Sequence, residues 1–253
     1  MSNSYIFRFA TIMVVLVAAI LTAVATILKP MQEANKDAEK MQAILSSANI
    51  EVERDQAINT YKQRLLAEYM LDLEGNILSI YQGEEEGFSK GSERAFEIDL
   101  KKMLETIKQF EAGNQQASPH LPMYVIQGPE DDSLFIIPVR GKGLWGPVWG
   151  NIALEKDLNT IAGASFDHQG ETPGLGAEIN TDEFSDQFKN TKIFNDQNEF
   201  VSVKVIKGGV ENSPISSEHG VDAISGGTIT SDGVSDMIEN VLSYYLPYIK
   251  KHQ

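Results

Sequence analysis

The chain has 253 residues and a formal net charge of -15, with 36 acidic against 21 basic side chains and no cysteine. A surface this acidic argues against nucleic acid and anionic lipid headgroups as electrostatic partners, because phosphate groups bind basic surfaces. The lack of cysteine excludes disulfides, thiol catalysis and cysteine-ligated iron–sulfur clusters within the chain. The 4 histidines have no pair at helical metal-ligand spacing, which argues against a catalytic zinc site.

An uncharged apolar stretch, residues 9–28, lies near the N-terminus. Its length is close to the ~20 residues that a helix needs to cross a bilayer, so we predict a transmembrane anchor. A signal peptide is the alternative, since Ala23-Val24-Ala25 fits the small-x-small cleavage pattern. The apolar run continues past that point to Leu28, and this favours a retained anchor.

The rest of the chain predicts helices and strands in turn. Apolar residues that recur every three to four positions predict helices at residues 31–45, 100–110 and 234–245. Asp55 as a cap predicts a helix at residues 55–66, and residues 183–189 suggest a short one. Short runs of branched and aromatic residues between turns predict strands at residues 69–73, 77–80, 123–126, 134–139, 151–154, 160–166 and 200–206. Residues 82–93 are acidic and contain glycine, which predicts a loop. Pro138 cannot donate to a ladder, so its strand should end there or lie at a sheet edge.

The order of these elements favours one fold class. Regular alternation of strands and helices is missing, which disfavours a doubly wound parallel sheet. We therefore predict an α+β fold, a mainly antiparallel sheet with packed helices, preceded by one N-terminal transmembrane helix. The expected organisation is a transmembrane anchor at residues 1–30, a membrane-proximal helical and mixed region at residues 31–120, and a compact domain at residues 121–253.

Two loops combine residues that suit a planar ligand. Residues 141–150 contain four glycines and two tryptophans, which allow a close approach of the backbone and supply a flat face. The plainer interpretation, a tryptophan in the core of a sheet, is the one that these residues alone favour. Residues 171–176 form a Pro-Gly turn whose backbone groups suit the polar edge of a ring, although a surface turn has the same pattern. His168 and Glu171 make only a weak acid–base candidate, because no nucleophile is paired with them.

The stretch Asp222–Ser231 contains a Gly-Gly pair among hydroxyl residues, just before a predicted helix. Free backbone N–H groups and the positive end of a helix favour a phosphate there, and glycines let it approach closely. Thr228, Thr230 and Ser231 add hydroxyl donors. Ordinary helix capping explains the same composition equally well. Lys204 and Lys207, just before this stretch, are candidates to neutralise a phosphate, although lysines at a strand edge are usually only exposed.

The spacing Asp222-x-x-Ser225-Gly226-Gly227-Thr228 resembles the flavinylation motif of the FMN-binding domain family, in which the last threonine forms a phosphoester with FMN. Gly227 stands where that family usually has alanine. Residues 143–146 and 171–176 are similar to two further elements of the family. The resemblance implies covalent FMN at Thr228, attached by a separate flavin transferase.

The candidate cofactor-binding residues lie in or beside these three elements. Those around the attachment point Thr228 are Asp222, Ser225, Gly226, Gly227, Thr230 and Lys207. Those in the other two loops are Leu144, Trp145, Glu171, Thr172, Leu175 and Gly176. No catalytic residue and no metal ligand is expected.

With the anchor, the three elements resemble the family of C-type subunits of the Na⁺-translocating NADH:quinone reductase. The resemblance implies a flavoprotein that is not catalytic alone and relays electrons between the redox centres of neighbouring flavin and iron–sulfur subunits. It also implies a single-pass protein of the inner membrane with its large domain on the periplasmic side. Counting lysines and arginines near the anchor favours the opposite side, but long domains cross largely regardless of such charges.

Three alternatives stay open at this point. The nearest is the G-type subunit of an Rnf-type electron transport complex, which shares the anchor, the domain and the motif. The second is an extracytoplasmic reductase that passes electrons to a soluble acceptor. The third is a cofactor-free, anchored extracytoplasmic binding domain, in which the Ser-Gly-Gly-Thr stretch is a helix cap.

Overall fold

The computed structural model describes residues 3–82, 94–114 and 116–253. The helices are α1 (Asn3–Ser47), α2 (Arg54–Arg64), α3 (Leu100–Glu111), α4 (Asp182–Ser185) and α5 (Thr228–His252). The strands are β1 (Leu65–Leu71), β2 (Ile77–Tyr81), β3 (Leu121–Gln127), β4 (Ser133–Lys142), β5 (Pro147–Leu154), β6 (Ile161–His168), β7 (Lys204–Ile206) and β8 (Gly220–Asp222). The loop predicted at residues 82–93 lies, apart from its first residue, outside the described residues.

Helix α1 joins the predicted anchor and the predicted helix after it into one uninterrupted element. Residues 3–37 are exposed, whereas five residues between Ala38 and Ser47 are buried against the rest of the fold. Among the described residues, α1 is the one helix that is long and apolar enough to cross a membrane, by length and composition. Pro30 lies inside it, near the end of the apolar stretch.

One six-stranded sheet, within the described residues, has the order β2-β1-β3-β4-β5-β6, and its pairs are antiparallel. Neighbouring residues of a strand face opposite sides of a sheet. Ile136 accordingly packs in a cluster with α1 and α2, while Ile137 packs in a second cluster with α3 and α5. The sheet is therefore covered on both faces, which confirms the predicted α+β class with a mainly antiparallel sheet and packed helices.

Pro138 corrects one part of its prediction, because its strand does not end there, although at Pro138 it is paired on one side only. β4 continues to Lys142 and has neighbours on both sides. The pairing of β4 with β3 stops at Ile136, whereas its pairing with β5 includes Pro138 opposite Asn151. The missing N–H of proline is tolerated because no partner strand faces that side beyond Ile136.

Two other strand predictions differ from the structure. The first strand begins at Leu65, where a helix was expected to continue, because Leu65 already pairs with Ile126 of β3. Of the strand predicted at residues 200–206 only β7 forms, and Ser202 has a φ of 60°, which is incompatible with an extended strand. β7 pairs in parallel with β8 and brings the chain to the start of the Gly-Gly stretch.

Strands from both sides of residue 120 belong to the same sheet, since β1 pairs with β3 over residues 65–71. The division into segments 1–30, 31–120 and 121–253 stays a prediction. For the candidate site, the relevant outcome is that β4, β5, β6 and α5 converge on one end of the fold.

Candidate functional site

Three loops that are far apart in sequence meet around a cavity of about 210 Å³. The first is the β4–β5 turn, the second follows β6, and the third leads into α5. The cavity is lined by Leu144, Glu171, Thr172, Leu175, Gly176, Gly226, Gly227, Thr228, Ile229 and Thr230. The structure thus brings together nine of the thirteen residues that the sequence suggested for cofactor binding.

The turn before α5 leaves the first amides of the helix without a helical acceptor. Gly227 donates to the carbonyl of Ile224 at 3.0 Å, and Gly226 adopts a φ of 74°, which glycine tolerates best. The first helical hydrogen bond runs from Ser231 N to Gly227 O, so the amides of residues 228–230 precede it. Gly227 supplies no side-chain cap, and the first turn contains no acidic residue. This end of a 25-residue helix therefore suits an anion such as a phosphate.

Glu171 connects the three loops through its buried carboxylate, which is 5% exposed. Its Oε1 accepts the backbone N–H of Trp145 at 2.9 Å, and its Oε2 accepts the hydroxyl of Thr230 at 2.7 Å. Burial alone would raise the pKa of this carboxyl. Hydrogen bonds from Thr230, Trp145 and Gly146, together with nearby His168, outweigh burial and hold the pKa below its ordinary value of 4.5.

Glycines at three positions let these loops approach one another. A Cβ added to Gly143 would lie 2.6 Å from Oε1 of Glu171, and one added to Gly176 would lie 2.5 Å from Oγ1 of Thr230. A Cβ on Gly227 would lie 3.2 Å from the backbone nitrogen of Gly176, which is tight but within reach of a small adjustment. The close contact explains why small residues occupy this part of the motif.

Apolar side chains stand exposed at the mouth of the cavity. Trp145 is 70% exposed and Ile229 57%, with Leu144 and Leu175 at 46% and 41%. Trp145 is therefore not part of the sheet core, which was the plainer interpretation of its loop. Sequence reasoning missed Ile229, although its place between Thr228 and Thr230 on the first turn of α5 was a usable signal. A cavity with an anion-binding end and an exposed apolar rim fits a flavin nucleotide, which has a phosphate and a planar ring.

Four of the suggested residues lie outside the cavity lining. Trp145 belongs to the exposed apolar rim, and its backbone N–H donates to Glu171. Asp222 is exposed and accepts the N–H of Val210 at 2.7 Å, so it shapes the turn after β7. Ser225 and Lys207 are exposed and do not line the cavity. The neighbouring Lys204 forms an ion pair with Glu239 of α5.

His168 and Glu171 do not form the acid–base pair that was considered. Nδ1 of His168 accepts the backbone N–H of Glu171 at 3.1 Å, while the carboxylate is bound to Trp145 and Thr230. Larger cavities of about 520 Å³ and 410 Å³ lie beside α3 and contain no motif residue, and one of about 560 Å³ beside β8 is lined by a single motif residue, Asp222. The convergence of the three loops, and not cavity size, marks the candidate site.

Comparison with known proteins agrees with this geometry. Residues 143–243 match the model of the FMN-binding domain. The C-type subunit of the Na(+)-translocating NADH-quinone reductase from Vibrio parahaemolyticus is 33% identical over 228 residues, which covers 87% of this chain and 83% of that protein. The protein of the same name from Vibrio vulnificus is 44% identical over 112 residues, a stretch that spans 44% of this chain and 42% of that relative.

A solved structure extends the similarity to the whole fold. The crystal structure of the C-type subunit of the Na(+)-translocating NADH-quinone reductase from Parabacteroides distasonis superposes with a TM-score of 0.70 at 36% sequence identity. The match covers 88% of this chain and 96% of that one. It confirms the predicted resemblance and the predicted fold class.

Proposed function

The chain belongs to the family of C-type subunits of the Na⁺-translocating NADH-quinone reductase, and we propose that it carries FMN covalently as an electron-relay component of such a complex. One observation supports this most directly: Thr228 opens α5 at the wall of the cavity, beside three backbone amides that precede the first helical hydrogen bond. A phosphoester on its hydroxyl would bring the phosphate to the positive end of the helix.

The attachment step requires a second protein. The hydroxyl of Thr228 loses its proton and gains a bond to the flavin phosphate, while a leaving group departs from an activated flavin nucleotide. Among the residues that line the cavity the one carboxylate is Glu171, and it is bound to Trp145 and Thr230, so it is not held ready to take that proton. We therefore assign the step to a separate flavin transferase.

Once attached, FMN supplies the redox chemistry, and the chain supplies its position. Residues 228–230 hold the phosphate end with their amides. The exposed rim residues Leu144, Trp145, Leu175 and Ile229 offer an apolar surface to the ring. Thr172, Gly176, Gly226 and Gly227 shape the wall between them. A cofactor fixed in this way keeps its place in a series of carriers, and its reaction partners are the redox groups of neighbouring subunits.

The rest of the chain determines where this relay operates. We propose that α1 anchors the protein in the inner membrane and that the flavin domain lies on the periplasmic side. In this arrangement residues 1–30 are the anchor, residues 31–120 the membrane-proximal region and residues 121–253 the FMN-binding domain. The partners are the other membrane, flavin and iron–sulfur subunits of the same complex.

Intact-mass and peptide mass spectrometry of the membrane-expressed protein, produced with a flavin transferase, tests the proposal. We expect a mass increase of one FMN phosphoester, located at Thr228, and flavin fluorescence that survives a denaturing gel. Thr228→Val removes both. Ser243→Ala is the control, because it removes a hydroxyl of the same helix outside the cavity lining and should keep the label. A fluorescent Thr228→Val band, or a wild-type mass equal to the bare chain, would contradict the proposal.

A further inference from the structure

Each carboxylate oxygen of Glu171 is already bound to a different part of the chain. Oε1 accepts from the backbone of Trp145, and Oε2 accepts from the side chain of Thr230. These donors lie 26 and 59 residues away from Glu171 in the sequence. One side chain therefore connects the β4–β5 turn, its own loop and the first turn of α5.

Two glycines lie close against this carboxylate. A Cβ on Gly143 would lie 2.6 Å from Oε1, and a Cβ on Gly176 would lie 2.7 Å from Oε2. Real Cβ atoms do not approach oxygen this closely, so both positions need glycine as long as the carboxylate stays in place. The loops are thus packed around Glu171 from both sides.

Two of the residues that Glu171 binds, Thr230 and Trp145, also define the site. Thr230 lies two residues after Thr228 on the first turn of α5, so a bond to Thr230 fixes the start of that helix. Trp145 is the most exposed side chain of the apolar rim, and its backbone is held by the same carboxylate. Loss of this link would let the attachment residue and the rim move independently.

We propose that Glu171 is a positioning residue, whose carboxylate holds Thr228 and the Trp145 rim in a fixed relation across the cavity. It acts through Trp145 and Thr230 and does not bind the phosphate, because a carboxylate beside a phosphate is repelled by it. The proposal rests on the proposed function only for the identity of the two groups that are held. The link itself is a property of the polypeptide before any cofactor is attached.

Hydrogen exchange of the Trp145 amide tests the link in the full-length protein, produced in detergent without the flavin transferase. Glu171→Ala removes the acceptor, and we expect the Trp145 amide to exchange at least about tenfold faster. Glu171→Gln keeps an acceptor oxygen in the same place, so exchange should stay within about threefold of wild type. Glu178→Ala is the matched control, since the Glu178 carboxylate accepts the N–H of Gly174 within its own loop and should leave Trp145 unchanged.

Co-expression with the transferase gives a second readout. Glu171→Ala should lower the fraction of Thr228 that carries flavin, Glu171→Gln should restore most of it, and Glu178→Ala should match wild type. If Glu171→Ala does not fold, Thr230→Val is the second variant, because it removes the donor to Oε2 and leaves Oε1 in place. It should still accelerate exchange at Trp145, which belongs to a different loop.

Two results would overturn the proposal. One is an unchanged Trp145 exchange rate in a folded Glu171→Ala or Thr230→Val protein. The other is an equal acceleration in Glu178→Ala. A wild-type protein that accepts no flavin would overturn the proposed function instead, and the exchange result would still stand or fall by itself.

Discussion

Two buried glutamates, Glu68 and Glu171, join distant segments of this protein in different ways. Glu68 is 1% exposed and accepts the hydroxyl of Tyr61 and the N–H of Phe96, and it forms an ion pair with Arg94. Glu171 is bound by the backbone amides of Trp145 and Gly146 and by the hydroxyl of Thr230, and within the described part of the chain it forms no ion pair. One carboxylate is balanced by a full charge and the other by neutral donors.

The surroundings of the two residues explain this difference. Glu68 lies on the face of the sheet that α1 and α2 cover, where Tyr61, Tyr124 and Ala95 fill the space around it. A carboxylate enclosed in this way needs a cation to offset its desolvation. Glu171 lines a cavity at the N-terminal end of α5, where hydrogen-bond donors of two loops and the positive end of the helix offset its charge. Glu68 thus belongs to a tightly packed region, and Glu171 belongs to the wall of a cavity.

The largest expected loss of stability follows from substitution of Glu68. Glu68→Ala leaves Arg94, whose side chain is 27% exposed, without its partner, and should lower the free energy of unfolding by about 3 kcal/mol. Denaturant unfolding of the full-length protein in detergent measures this loss. Glu105→Ala breaks an exposed pair with Lys101 and should cost less than about 0.5 kcal/mol. Equal losses in the two variants would mean that Glu68 is no more than a surface-like contact.

The next effect is at the cavity around Glu171. Gly176→Ala places a Cβ 2.5 Å from Oγ1 of Thr230, so the loop must shift, and we expect a loss of about 1–3 kcal/mol together with reduced flavin attachment. Gly170→Ala, in the same loop, meets nothing within 4 Å and should change neither quantity. Normal flavin attachment in Gly176→Ala would show that the loops need not pack closely.

A smaller effect separates the two carboxylates directly. Tyr61→Phe removes one neutral donor from Glu68 but leaves Arg94 in place, so it should cost about 1 kcal/mol and leave flavin attachment unchanged. Unfolding and in-gel flavin fluorescence check the two parts of this prediction. A loss of fluorescence in Tyr61→Phe would show that the packed region around Glu68 and the cavity around Glu171 are coupled through the sheet.

The smallest effect is a change in pH dependence. The pKa of Glu171 lies below its ordinary value of 4.5 in the folded protein, so its contribution to stability is present above that pH and disappears as the pH falls through the folded pKa. Glu171→Gln has no such carboxylate, and its stability should therefore decline less steeply below pH 4.5 than that of wild type. Unfolding curves between neutral and acidic pH measure both slopes; parallel slopes would contradict the assignment.

The residues around the cavity were easier to group from the sequence than the contact between Glu68 and Arg94. Three short elements resembled one family, and nine of the thirteen residues suggested from them line one cavity. Glu68 and Arg94 carried no such pattern, since an acid in a strand and a base in a loop are ordinary residues until the fold brings them together. The contact depends on tertiary packing, which periodicity does not report.

Element boundaries failed where pairing overrode local preference. Leu65 and Leu66 favour a helix, but the edge of β3 offered hydrogen bonds that converted them to strand. Phe200–Val203 look like a strand by composition, but the left-handed backbone at Ser202 ends the extended run. Pro138 was tolerated inside β4 because the pairing of β4 with β3 stops at Ile136.

The continuity of α1 has a mechanical consequence. A single helix runs from the apolar stretch into the packed residues from Ala38 onward. The rotation of the sheet about the helix axis is therefore fixed relative to the apolar stretch. Adding one residue between Leu28 and Ala38 would swivel the whole domain by about 100° about the helix axis and raise it by about 1.5 Å. The number of residues in that part of the helix thus sets the direction in which the cavity points about the helix axis.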